Sequence, residues 1–314
     1  MRVLLATLFC LAVCSPVWAA GKQADIALTF DDLPALTRLQ SQAYVDYAND
    51  IILRGLRKHH FPAIGFVNEG KLDELVRTRQ IANLRKWRDA GMSLGNHTFS
   101  HEPPNVIGAA AYVADIARGE VVTRELLEKS RHKLRWFRHP YLETGLPLAE
   151  KEQIDTWLAK HDYRIAPVTM ENSDWEFSEP YDDAIARRNP LRAAAIKAEY
   201  LAHSERVMAW YQKASEALLG RQIAFVMLLH VNRLNADCIE EFAGILDRRG
   251  LHPVSLEKAM RDPAYLIPDP YVGADGVGWL ERWSLELRRG LPWDNFPEPS
   301  AEIKADYHRV DDDH

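Results

Sequence analysis

Five places along the chain carry side chains that could carry out hydrolysis together. They are the adjacent carboxylates Asp31 and Asp32, the pair His97 and His101, Arg138 with His139, Pro140 and Tyr141, the acid Asp174 before Trp175, and His230. Two imidazoles and one carboxylate form a common set for a divalent metal that keeps open positions for water and substrate. A metal so held polarises a carbonyl and lowers the pKa of bound water. A carboxylate outside the set can take that water's proton, and a histidine can protonate a leaving amine. Each of these helps amide hydrolysis, because the amide is a poor electrophile and water a poor nucleophile.

Each residue also has a plainer use on its own. Asp31 and Asp32 could cap a helix, Arg138 could form a surface ion pair, and His230 ends a very apolar run, 225–229. His97 and His101 are four apart, so one helical turn would put both imidazoles on one side. Pro103 and Pro104 restrict that segment to a single turn or a tight loop.

Short apolar runs at 26–30, 63–67, 92–95, 134–138, 163–167, 223–229 and 251–254 read as strands. Helical patterns fall between them at 43–59, 71–90, 109–133, 148–161, 191–219 and 236–249. Strands separated by helices predict a parallel sheet. With seven units the fold class expected is α/β, a distorted (β/α)7 barrel one unit short of the eight-fold form. The five polar places lie at or just past the C-terminal ends of strands, the face where such folds place active sites. In the first strand, alternation sets Ile26, Leu28 and Phe30 on one face and Ala27, Thr29 and Asp31 on the other. Pro34 ends that strand, so a turn there would swing Asp32 toward the histidines and leave Asp31 at the barrel mouth.

Residues 1–20 read as a signal peptide: Arg2, an apolar run over 3–13, then Ser15, Pro16 and Val17-Trp18-Ala19 before a cleavage site. The run is too short for a permanent membrane span, and a periplasmic or secreted protein is expected. Removing the signal takes away Cys10 and Cys14, so Cys238 is left alone, with no disulfide and no cysteine cluster for zinc. It also leaves 38 basic and 45 acidic residues, a net −7, which argues against a nucleic-acid surface. The expected catalytic domain spans 21–259. Residues 260–314 turn rich in Pro, Gly and Trp and read as an extension packed on the barrel, ending in the acidic tail Asp311-Asp312-Asp313.

Thr29-Phe30-Asp31-Asp32, His97-Thr98-Phe99-Ser100-His101, Arg138-His139-Pro140-Tyr141 and Leu228-Leu229-His230 resemble, in order, the motifs of the polysaccharide deacetylases, the NodB-homology enzymes of carbohydrate esterase family 4. The resemblance spans roughly 24–256. It implies Asp31 as catalytic base, Asp32, His97 and His101 as metal ligands, and Arg138 as the residue that positions the base. It implies a backbone N–H of Tyr141 for the oxyanion, and His230 as catalytic acid. Asp174-Trp175 resembles a further motif whose acid supports the active-site arginine, although Asp174 could instead tune His230. Zinc is the expected cofactor, with cobalt, nickel and iron also suited to these ligands. The expected partner is a carbohydrate containing N-acetylglucosamine, with Tyr141, Trp175, Phe177, Trp279, Trp283 and Trp293 available to pack on sugar faces or to fill the core. Competing readings are a hydrolase of a non-sugar amide on the same scaffold, a non-catalytic glycan-binding protein and, more weakly, a two-carboxylate glycosidase, which would leave the histidine pair unexplained.

Overall fold

The longest strand of the sheet is an interior one that pairs with three others. The computed structural model describes residues 23–130 and 133–311, so the expected signal peptide and most of the acidic tail lie outside the described residues. In chain order the regular elements are β1 (Ala24–Leu33), α1 (Gln42–Lys58), β2 (Ala63–Val67), α2 (Arg77–Asp89), β3 (Ser93–Asn96), α3 (Pro104–Arg118), α4 (Val121–Glu128), β4 (Trp136–Phe137) and α5 (Leu148–Lys160). There follow β5 (Arg164–Ile165), β6 (Met170–Glu171), α6 (Asp174–Ala186), α7 (Pro190–Leu219), β7 (Phe225–His230), α8 (Arg233–Arg249), β8 (Leu251–Pro253), α9 (Leu256–Ala259), α10 (Trp279–Leu287) and α11 (Ala301–Val310).

All strand pairings are parallel, in the order β5-β4-β3-β2-β1-β7-β6, with β8 added to the start of β1. The sheet curls into an open barrel whose edge strands, β5 and β6, do not pair, and it carries helices outside as expected for the distorted (β/α)7 form. One strand more than expected is present. Met170–Glu171 is only two residues long, too short to leave a periodic signal.

Burial on both faces accounts for the almost unbroken apolar character of β1 and β7. Ile26, Leu28 and Phe30 face outward into the main core under the helices. Ala27 faces inward with Ile64, Phe66, Trp136, Ala166 and Val226. The alternation read from the sequence is thus the one observed, and it carries Thr29 and Asp31 inward. Between β6 and β7 stand α6, where no helical pattern was read, and the 30-residue α7, which covers the helix expected over 191–219. These two pack with α8 and with α11 around Phe177, Tyr181, Ile196, Tyr200, Cys238 and Ile303. Among the described residues no helix is long and apolar enough to cross a membrane.

Candidate active site

β1 continues past Asp31 through an irregularity. Asp32 has φ +61°, and the register with β2 shifts between Phe30 and Leu33. A left-handed residue inside a strand redirects its side chain out of the alternation, so the two carboxylates part company. Asp31 stays in the mouth, where Arg138 Nη1 donates to its Oδ2 at 3.1 Å. Asp32 turns to the histidines, with Oδ1 at 3.4 Å from His101 Nε2 and 3.9 Å from His97 Nε2. Both carboxylates are buried.

The two histidines reach Asp32 without a helix. Residues 97–103 form a loop in which Thr98 and His101 take φ of +67° and +63°. Asn96 at the end of β3 accepts the Thr98 N–H at 2.7 Å, and the Thr98 hydroxyl accepts the His101 N–H at 3.0 Å. From α3, Asp115 Oδ2 accepts the N–H groups of Phe99 and Ser100 and the Ser100 hydroxyl. Gly119 lies so close to this loop that a Cβ there would stand 2.3 Å from the Thr98 carbonyl carbon.

These three residues fit a divalent metal. One ligand atom from each of Asp32, His97 and His101 lies within 4.8 Å of the others. Asp32 Oδ1 is buried with no hydrogen-bond partner, which is costly unless something else satisfies it. His97 Nδ1 donates to the Arg138 carbonyl at 2.8 Å, so its Nε2 lone pair is left facing Asp32. Burial holds both imidazoles at about 4, below the ordinary histidine range, which favours the neutral form that a metal would need. Burial works against a charged Asp32, but His101, Lys71 and His97 outweigh it and hold the carboxyl well below the usual range.

Arg138 is fully buried, with its guanidinium 4.8 Å from the Phe66 ring centre. Its other donors go to Thr29 Oγ1 and to the carbonyls of Ala166 and Pro167. This arginine is no surface ion pair: it is clamped in the barrel and presents one edge to Asp31. Burial pushes the Asp31 carboxyl up to about 6, with Arg138 and His230 pulling against it. Tyr141, just beyond, has φ +54°, is 56% exposed, and sets its ring 4.6 Å from that of His101.

Across the mouth, His230 ends β7 opposite Asp31 in the register with β1. Asp174, the first residue of α6, accepts from His230 Nδ1 at 2.7 Å and from its backbone N–H at 2.8 Å. Asn232 and Asn235 Nδ2 also donate to Asp174. The structure therefore corrects the expectation that Asp174 supports the arginine: Asp174 braces His230, and Arg138 leans on carbonyls, a hydroxyl and Asp31. Burial would lower the His230 pKa, but Asp174 overrides it and, with Asp32 and Asp31, raises it to about 9.

Trp175 is half-buried and edge-on to Tyr307 of α11. Phe177, Trp279 and Trp283 are buried in the core, and Trp293 packs on Trp210 and Phe296; of the aromatic residues proposed for sugars, Tyr141 packs on a site side chain, His101, and Trp175 follows Asp174 in sequence. Thr29, Asp115, Asn232 and Asn235 support the site and were missed in the sequence. Thr29 left a signal as part of the Thr29-Phe30-Asp31-Asp32 motif, and the asparagines as a helix N-cap pattern after His230: the Asn232 side chain accepts the Asn235 N–H.

A curled parallel sheet thus brings the paired histidines and the two separated carboxylates together at its mouth, with three of these residues able to hold a divalent metal. Residues 19–165 match the family model described as polysaccharide deacetylase. The match ends before Asp174 and His230, whose placement rests on the structure. Similar solved structures include a carbohydrate esterase family 4 pseudoenzyme from Bacillus anthracis, at 14% identity and TM-score 0.51, covering 76% of this chain and 66% of that one. A mutant of the same pseudoenzyme with restored activity aligns at 16% identity and TM-score 0.51, over 76% and 68% of the two chains. A polysaccharide deacetylase from Bacillus cereus aligns at 16% identity and TM-score 0.50, over 74% of this chain and 92% of that one. At these identities the likeness concerns the fold. No curated protein matches the chain in sequence.

Proposed function

We propose that this protein is a metal-dependent hydrolase that removes N-acetyl groups from an N-acetylglucosamine-containing glycan of the cell envelope or the exterior, releasing acetate. One observation carries the reading: two consecutive carboxylates serve different partners, Asp32 the two imidazoles and Asp31 the buried arginine.

Asp32, His97 and His101 would hold the cation, with zinc the best match to two imidazoles and a carboxylate. When bound it would polarise the acetamide carbonyl and acidify water. Asp31, at about 6, is poised to accept a proton near neutrality, and Arg138 fixes the direction in which it does so. His230, protonated up to about 9 by Asp174, can hand a proton to the departing amine. Backbone at Tyr141, on the same rim, would support the oxyanion. Trp175 and Tyr141 supply apolar surface for the sugar and its acetyl group.

The test is a panel of N-acetylated oligomers and polymers, O-acetylated glycans and simple acetamides, with released acetate and chain length both measured. Acetate from N-acetyl oligomers without chain cleavage supports the reading, with free N-acetylglucosamine expected to be a poor substrate. Shortened chains without acetate would indicate a glycosidase, acetate from O-acetyl groups alone an esterase, and turnover of acetamides alone a non-sugar amidase. Binding without turnover would indicate a glycan-binding protein.

A further inference from the structure

The segment after residue 260 does more than cover the barrel. Arg282 of α10 is fully buried, yet its guanidinium reaches into the loop that bears Tyr141. Nη2 donates to the Leu142 carbonyl at 2.6 Å, and Nη1 to Thr144 Oγ1 at 3.3 Å and Asp269 Oδ2 at 2.8 Å. Nε donates to the Val277 carbonyl at 2.9 Å, and the plane lies over Trp279, 4.2 Å from the ring centre. Asp269 is shared with Lys151 of α5, whose Nζ also donates to the Tyr271 carbonyl. A second contact is steric. A Cβ on Gly276 would lie 1.7 Å from the Tyr141 carbonyl oxygen, so only glycine allows the extension to sit this close.

The loop gripped this way is one that needs gripping. Tyr141 and Leu142 both lie in the left-handed region, at φ +54° and +58°, and neither is glycine. Two such residues in succession persist only where surrounding contacts fix them. Arg282 supplies the polar contact and Gly276 the close backbone contact, both from the extension and neither from the barrel.

We propose that Arg282 is a positioning residue for the reaction: together with Gly276 it locks the Tyr141–Leu142 turn, and so the backbone at Tyr141, in the geometry that receives the oxyanion. The catalytic consequence rests on the deacetylase reading above, whereas the locking of the turn does not.

Arg282→Lys, Arg282→Met and Gly276→Ala are compared with the wild type in two measurements. The first is hydrogen–deuterium exchange of peptides covering 139–145, with 97–101 and 225–230 as internal references. Faster exchange confined to 139–145 is expected, largest in Arg282→Met, smaller in Arg282→Lys, which keeps one donor and the charge. The second is steady-state acetate release. A displacement of about 1 Å in a catalytic group can cost about 100-fold, so kcat is expected to fall about 10- to 100-fold in Arg282→Met, with KM within about twofold and metal content unchanged. Partial recovery of kcat in Arg282→Lys separates positioning from gross damage. Unchanged exchange over 139–145 in all three variants overturns the locking. Faster exchange with unchanged kcat overturns the catalytic role. If Arg282→Met does not fold, Arg282→Lys and Gly276→Ala decide both points. If the wild type releases no acetate, the deacetylase reading and the catalytic role fall together, and exchange still decides the lock.

Discussion

Asp31 and Asp32 share a side-chain type and a sequence position to within one residue, and the chain turns them to different partners through a left-handed backbone angle at Asp32, consistent with the different tasks proposed for them. Exchanging either for asparagine should separate those tasks. Asp31→Asn should keep its metal and lose about 100- to 10,000-fold in kcat, since an amide cannot accept the water's proton. Asp32→Asn should bind metal more than about 100-fold more weakly, because losing even an outer-sphere partner commonly costs about 10- to 100-fold. Excess metal should then restore part of its rate. Metal occupancy and turnover across a metal titration distinguish the two; reversed outcomes would exchange the roles. A second expectation concerns His230. Asp174 raises its pKa to about 9, so the proton is held through neutrality and released as pH climbs past that value. In Asp174→Asn the high-pH limb of the kcat profile should move down, toward the ordinary histidine value of about 6.5. The stability that this raised pKa confers is complete below about 6.5 and fades as pH rises through about 9, so the gap in stability between wild type and Asp174→Asn should narrow over that window. Urea melts at several pH values would show it. In the sequence, the strand ends and the motif order made all these residues visible. The partner of Asp174 stayed open between Arg138 and His230, because the contact joins α6 to β7 across 56 residues and depends on where the start of α6 docks.

At the scale of elements, what was legible followed period and length. β1, β2, α1 and α5 stood out because their apolar residues repeat cleanly and their ends carry turn signals. The helices read as continuous over 71–90 and 109–133 are in fact broken. The first divides into a short 3-10 turn and α2, with no side-chain cap to mark the start. The second breaks at Gly119, the residue that makes room for the Thr98 backbone. α6 was hidden by Pro180, which lies in its middle, where a proline ordinarily argues against a helix. α8 gives a check on the packing of these helices. Its Cys238 is buried, and burial pushes the thiol up to about 12. It should resist a thiol reagent in the native protein and react fully in denaturant. Prompt labelling of the native protein would show that α8 opens from α6 and α7.

Over the whole molecule, the cation expected at Asp32, His97 and His101 joins β1 to the loop after β3. One divalent ion per chain is expected in metal analysis. At a free concentration about 100 times its dissociation constant such an ion adds about 2.7 kcal/mol to stability. For a domain of this size each kcal/mol raises Tm by about 2–4 °C, so chelation should lower Tm by about 5–10 °C and abolish turnover, both reversibly. Asp32→Asn should show no such shift, and an equal shift in that variant would remove Asp32 from the ligand set. The placing of the carboxylates has one more consequence. They ride on β1, the strand that pairs with β2, β7 and β8 at once, and central strands open only when the whole domain does. Heat should therefore not produce a long-lived form that is folded but chemically dead at these two positions. The half-life of activity at high temperature becomes a measure of the global unfolding rate, and the shelf life of the catalyst is set by the most deeply paired strand it has.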